Sequence, residues 1–244
     1  MGLLFAVIVL SVSACKKDDD KSSSVRLEFT ANYDGQDYAP FTEYTYFNGS
    51  VLTINKAVFY VSSIDLVKAD GSTVRLSDVE YVDLSDPVNP SQASFVYDEL
   101  PVGEFTALRL GIGVPADLNA KAPAEFSAGH PLAIESMHWD PWDSYIFSKT
   151  EGRIDTTGDG QGDLNFLYHT GVDDLYRGLE AQQGFELRDG EEKVLNFSLD
   201  LKKLFGTDAN YIDIKAKPAS HNPSDLDIAT RVMDNYVRAL TFSF

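Results

Sequence analysis

Apolar side chains recur at every second position through most of this chain, the period of strands that bury one face. Val25, Leu27 and Phe29 alternate with Arg26 and Glu28. Residues 55–67 place Val58, Tyr60, Ser62, Ile64 and Leu66 on one face, with Phe59 and Val61 on the other. Further strands are predicted over 105–114, 145–154, 164–170, 193–201, 211–216 and 237–244. Turn-forming clusters separate them, among them Leu100-Pro101-Val102-Gly103, Ala69-Asp70-Gly71 and Arg188-Asp189-Gly190. In the 164–170 segment, Leu164, Phe166 and Tyr168 share one face. Asn165, Leu167 and His169 share the other, with His169 at the strand's end just before Gly171.

Two stretches change period. Pro223, then Ser224 with Asp227 three residues on, forms a capping box with the shorter acid. Leu226, Ala229, Val232, Met233 and Tyr236 then follow at helical spacing. Residues 201–205 make one short turn. With no internal repeat and no second compositional zone, residues 25–244 read as one domain. The fold class is all-β: a single antiparallel β-sandwich of Ig-like or Greek-key type, with long loops and one C-terminal helix. Residues 116–143, carrying Pro123, Pro131 and Pro141, form a connection long enough to expect function in it.

The N-terminus follows a different rule. Leu3 to Val12 is an unbroken run of mostly apolar residues, too short for a bilayer, which needs ~20, and of signal-peptide length. No Lys or Arg precedes it. Val12-Ser13-Ala14-Cys15 is similar to the lipobox cut by lipoprotein signal peptidase, so residues 1–14 read as signal peptide and Cys15 as the acylated residue. Cys15 is the single cysteine, which excludes an internal disulfide and leaves the thiol needing another role. Residues 15–24 read as the lipidated cysteine and a flexible tether whose three lysines and three aspartates cancel. Lys16-Lys17-Asp18-Asp19-Asp20 resembles the Lys-then-acidic signal of surface-exposed Bacteroidetes lipoproteins. A solvated spacer without an address is the alternative. The expected location is the cell envelope, anchored to the outer membrane by lipid.

Charge narrows the partners. Twenty Lys and Arg against 38 Asp and Glu give a net charge of −18, and the neutral tether leaves all of it on the domain. Such a surface repels nucleic acid and favours cations or basic partners.

The most unusual chemistry lies in the long connection, at Met137-His138-Trp139-Asp140-Pro141-Trp142, which holds both tryptophans and one of four histidines. Pro141 keeps Asp140 extended, which sends His138 and Trp139 to opposite sides. An aromatic cluster plugging one end of the sandwich is the alternative to a ligand site. Neutral imidazole suits copper, zinc and nickel, while a soft thiolate site is excluded. Asp140, Asp143 and Glu151 are candidates to orient imidazoles as hydrogen-bond acceptors. His130 reads as a loop residue, and His221 as one preceding the helix. The acids Asp155, Asp159 and Asp163 recur every four residues. This is unlike an EF-hand loop and reads first as a hairpin connection between Ile154 and Leu164, with a weak calcium site as the alternative.

Several motifs in order resemble the MbnP-like proteins, a family associated with methanobactin operons and related to the CorA and MopE surface proteins. They are Leu100-Pro101-Val102-Gly103-Glu104-Phe105-Thr106-Ala107-Leu108-Arg109-Leu110, Gly111-Ile112-Gly113-Val114-Pro115, Met137-His138-Trp139 with Trp142, Ser144-Tyr145-Ile146-Phe147, Glu151-Gly152 and Tyr168-His169-Thr170-Gly171. Departures are a two-residue gap between the tryptophans, Ser144 in place of Gly, and Ala120 where many members carry His. The resemblance implies one copper ion held by two imidazoles and a tryptophan oxidised to kynurenine, with His138 and His169 as ligands. Trp139 is the first candidate for oxidation and Trp142 the second. It also implies a partner enzyme of the di-haem cytochrome c peroxidase type. His169 and the 138–142 segment are then expected to meet at one end of the sandwich.

No nucleotide fingerprint, His-Glu-x-x-His or Gly-x-Ser-x-Gly element is present, so the chain is not expected to be an enzyme. The competing class is an adhesion or ligand-binding module that uses Trp139 and Trp142 against a glycan or protein.

Overall fold

The computed structural model describes residues 22–86, 93–220 and 225–244. Cys15, most of the tether and His221 lie outside the described residues. The principal strands are β1 (Ser22–Tyr33), β2 (Val51–Val67), β3 (Thr73–Asp83), β4 (Ser94–Pro101), β5 (Ala107–Ile112), β6 (Ser144–Ile154), β7 (Leu164–Gly171), β8 (Arg177–Ala181), β9 (Glu192–Asp200) and β10 (Leu240–Ser243). Three helices join them: α1 (Ala116–Asn119), α2 (Leu201–Leu204) and α3 (Leu226–Ala239).

The strands form two main sheets. In the first, β10, β9 and β1 lie side by side, and β4 also pairs with β1. In the second the order is β8-β5-β2-β6-β7, with β3 also on β2. The sheets face each other through Phe29, which stacks on Phe197 at 5.0 Å and meets Phe59 edge-on at 6.0 Å. β2 is buried on both faces over residues 57–62, because it has neighbours along both edges and layers above and below. That is why the sequence puts Phe59 and Val61 opposite Val58 and Tyr60.

The all-β reading with a C-terminal helix holds. The sheets are mixed, however, where the sequence pattern predicts wholly antiparallel ones: β1 runs parallel to β9 from Ser24↔Glu192 to Asn32↔Asp200, and β7 runs parallel to Ala219–Ser220. Three boundaries also move. Ser22 to Ser24 belong to β1 and not to the tether, and the Ser23 hydroxyl donates to the Leu100 carbonyl. Residues 211–216 are not a strand. Tyr211 pairs only with Gly206, and the Asp213 carbonyl then accepts from Ala216 and Lys217 in a turn. Ile212 and Ile214 are both buried, so their alternation reports burial without a strand partner. Finally, the helix continues through Ala239, and only Leu240–Ser243 is strand, because Tyr236 and Ala239 still lie on the buried face of α3.

α3 packs on the inner face of the second sheet. Tyr236 packs on Phe59 at 5.5 Å, and the Met233 sulfur accepts from Thr170 of β7 at 3.1 Å. On β7, Phe166, Tyr168 and Thr170 face this core, as the alternation predicts. Asn165, Leu167 and His169 face outward.

Candidate functional site

The outward face of the second sheet is where residues 116–143 come to rest. They wind through α1 and four short 3-10 turns. Two buried tyrosines bind the loop to the sheet: Tyr60 of β2 donates to the Pro131 carbonyl at 3.0 Å, and Tyr145 of β6 to the Leu132 carbonyl at 2.8 Å. Burial pushes the Tyr145 phenol up to about 12, so it remains a donor. Lys149, four residues further along β6, reaches the Ser136 carbonyl at 2.5 Å, and its burial lowers its pKa.

A second clamp is polar and buried. The Asn119 amide donates to Ser144 Oγ at 3.0 Å and to Asp173 Oδ1 at 2.8 Å, while its carbonyl oxygen accepts from the Tyr145 backbone N–H at 2.8 Å. Ser144 Oγ accepts in turn from the Val172 N–H at 3.0 Å. Val172 has φ +71° and Asp143 φ +48°. A β-branched residue there is strained by ~1–3 kcal/mol, and the Ser144 contact helps to hold it. No local pattern in the sequence signals this network, since the hydrogen bonds of Asn119 span 25 to 54 positions.

His138 and Trp139 form a two-residue strand against the start of β6, with His138 opposite Tyr145 and Trp139 opposite Ser144. His138 lies edge-on to the Tyr145 ring at 5.1 Å, and its Nδ1 is 3.2 Å from Asp140 Oδ1. Trp139 is 37% exposed and lines a groove of about 500 Å³ with His138, Asp140, Pro141, Pro123 and Glu135. Trp142 turns the other way and packs on Gly171: a Cβ there would lie 2.9 Å from Trp142 Cε3 and 2.7 Å from the Tyr145 carbonyl oxygen. Its indole Nε1 is buried without a hydrogen-bond partner among the described residues. Asp143 caps the 3-10 turn through its backbone N–H to the Asp140 carbonyl at 3.0 Å.

His169 is in register with Lys149, so it sits on the sheet's outer face, near the end of β7. Its Nε2 is 2.8 Å from Glu151 Oε1. This hydrogen bond, joined by the charges of His169, Lys149 and Lys56, holds the Glu151 carboxyl below the ordinary glutamate range although burial opposes it. A carboxylate can only accept, so Nε2 of His169 and Nδ1 of His138 carry the protons. In the neutral tautomers these contacts select, the ring lone pairs fall on Nδ1 of His169 and Nε2 of His138. A carboxylate that fixes the tautomer is the usual support of a metal-ligating imidazole.

The two histidines take register positions opposite Tyr145 and Lys149, four residues apart on β6. At ~3.4 Å per residue their backbones are offset by roughly 14 Å along that strand. Within the 138–142 segment, Trp142 packs on Gly171 of β7, two residues from His169. No group of three or more His, Cys, Asp and Glu spaced for a metal occurs among the described residues.

His130 serves the loop itself. Its Nδ1 accepts from the Leu132 N–H at 3.0 Å and its ring stacks on Phe126. Residues 155–163 are the hairpin connection between paired Ile154 and Leu164. Asp155 there accepts from the backbone of Thr157, Gly158 and Gly160, and Asp163 from Thr156.

These features define a β-sandwich whose outer face, roofed by one long loop, carries two carboxylate-held histidines and a tryptophan pair. The MbnP family model matches residues 22–225, and the chain belongs to that family. The structure of MbnP from Methylosinus trichosporium is similar in fold, with a TM-score of 0.56 and 17% identity, covering 77% of this chain and 78% of that one. No curated protein sequence matches the chain.

Proposed function

We propose that this chain is a non-catalytic copper-handling protein of the cell envelope, in which His138 and His169 supply the imidazole ligands of one copper ion. The observation that carries the reading is the pair of histidine–carboxylate contacts, Asp140 to His138 within the loop and Glu151 to His169 on the outer face of the second sheet. Neutral imidazole is a suitable donor for a copper ion, and for both rings to reach one ion the loop carrying His138 must shift along β6 toward His169. Trp139, with Trp142 second, is the residue open to oxidation, by a partner of the di-haem cytochrome c peroxidase type that the family resemblance implies. Lipid on Cys15 anchors the domain to the outer membrane. No helix among the described residues is long and apolar enough to cross a bilayer.

Copper titration of the full chain and of its His138→Ala and His169→Ala variants tests this. One equivalent is expected in the parent and none in either variant, with melting temperatures little changed. Stoichiometric copper retained in both variants would sink the reading. Intact mass of the native protein detects tryptophan oxidation directly, because kynurenine formation changes the mass by a fixed amount.

A second reading is favoured by one observation: the groove beside the exposed Trp139. It could seat a glycan or peptide against the indole. Ligand binding lost in Trp139→Ala, with no copper bound by the parent, would move the assignment to an adhesion or ligand-binding module.

A further inference from the structure

At the other side of α3, a pocket of about 460 Å³ is lined by Lys203, Gly206, Thr207, Asn210, Arg231, Asn235 and Arg238. It gathers three cations and no carboxylate, in a chain of net charge −18. We infer that this pocket is a binding site for a small soluble phosphorylated molecule.

Arg231, Asn235 and Arg238 fall at i, i+4 and i+7 on α3 and so share one face of it. Each arginine is held by a neutral amide. Arg231 Nη2 donates to the Asn210 carbonyl at 2.8 Å and to its Oδ1 at 2.6 Å. Arg238 Nη2 donates to Asn235 Oδ1 at 2.8 Å, and Asn235 is itself fixed by donating to the Leu204 carbonyl at 2.9 Å. Amide oxygens orient a guanidinium without cancelling its charge. By contrast Arg26, Arg75, Arg109, Arg177 and Arg188 each face a carboxylate.

The hairpin opposite α3 is built to bring Asn210 this close. Gly206 has φ +129°, and a Cβ there would lie 2.3 Å from the Asn210 carbonyl oxygen, so glycine is required. Lys203, 3.1 Å from Asp200, is the one partly neutralised cation. A guanidinium has five donors, and in both arginines these contacts engage a single nitrogen. The remaining donors suit bidentate phosphate recognition. The volume exceeds what a bare phosphate needs, leaving room for an organic substituent.

Titration calorimetry of the full chain with inorganic phosphate and with glycerol 3-phosphate, against chloride at matched ionic strength, tests the site. Saturable binding near one per chain is expected, weakened roughly tenfold or more in Arg238→Gln, the scale of a lost charge-assisted hydrogen bond. Arg238 touches only Asn235 among these contacts, so its variant should fold; Arg231→Gln loosens the hairpin and is secondary. Binding no stronger than chloride, or equal in the parent and Arg238→Gln, overturns the proposal.

Discussion

His169 of β7 donates from Nε2 to Glu151 Oε1 of β6 at 2.8 Å, a diagonal contact on the outer face of the second sheet. The contact links the tautomer of the histidine to the charge of the glutamate, and it can be probed from either side.

Glu151 has a folded-state pKa below its ordinary value, chiefly through that hydrogen bond. Its contribution to stability is therefore complete above the ordinary glutamate range and lost as pH falls through the depressed value. Urea unfolding at neutral and acid pH should show less acid sensitivity in Glu151→Gln than in the parent, by under ~1 kcal/mol because the pair is partly solvated. If His169 is a ligand, the same variant should weaken copper binding ~10–100-fold. An unchanged pH slope would show that the contact does not persist in solution.

Gly171→Ala places a methyl against both the Tyr145 carbonyl and the Trp142 ring. Neither strand backbone can yield easily, so Trp142 should be displaced, at a cost of ~1–3 kcal/mol. Tryptophan fluorescence in the folded state should shift toward that of a more solvated indole. Identical emission would place Trp142 elsewhere.

Asn119→Ala should be more damaging than its position in a surface connection suggests. It strips partners from the Tyr145 N–H, Ser144 and Asp173. At ~1–3 kcal/mol for each buried group left unsatisfied, a loss of about 3 kcal/mol is expected, read by thermal or urea denaturation. A loss below about 1 kcal/mol would mean that water replaces the amide.

Cys15→Ser should abolish fatty-acid labelling and release the chain from the membrane fraction or leave it uncut. Palmitate incorporation followed through membrane fractionation reads this. Retention in the membrane with processing unchanged would remove the lipid anchor from the proposal.

Which side of each strand is buried can be read from the chain alone. The period of two separates Phe166 and Tyr168 from Leu167 and His169, and the 3.6-residue period places Ala229, Val232, Met233 and Tyr236 on one face of α3. These follow from burial, which acts on each residue locally. Strand partners and ligand geometry belong to the tertiary structure. The alternation in β1 cannot say that its neighbour is β9, parallel and more than 160 positions away. The buried pair Ile212 and Ile214 alternates like a strand without being one. His169 and Glu151 are legible as chemistry, but their contact depends on which strands lie side by side. Likewise Asn119, Ser144 and Asp173 meet only because the loop folds back onto β6. Hydrophobic periodicity records whether a side chain leaves water. Which side chain it then meets is decided by long-range packing, which leaves no local pattern.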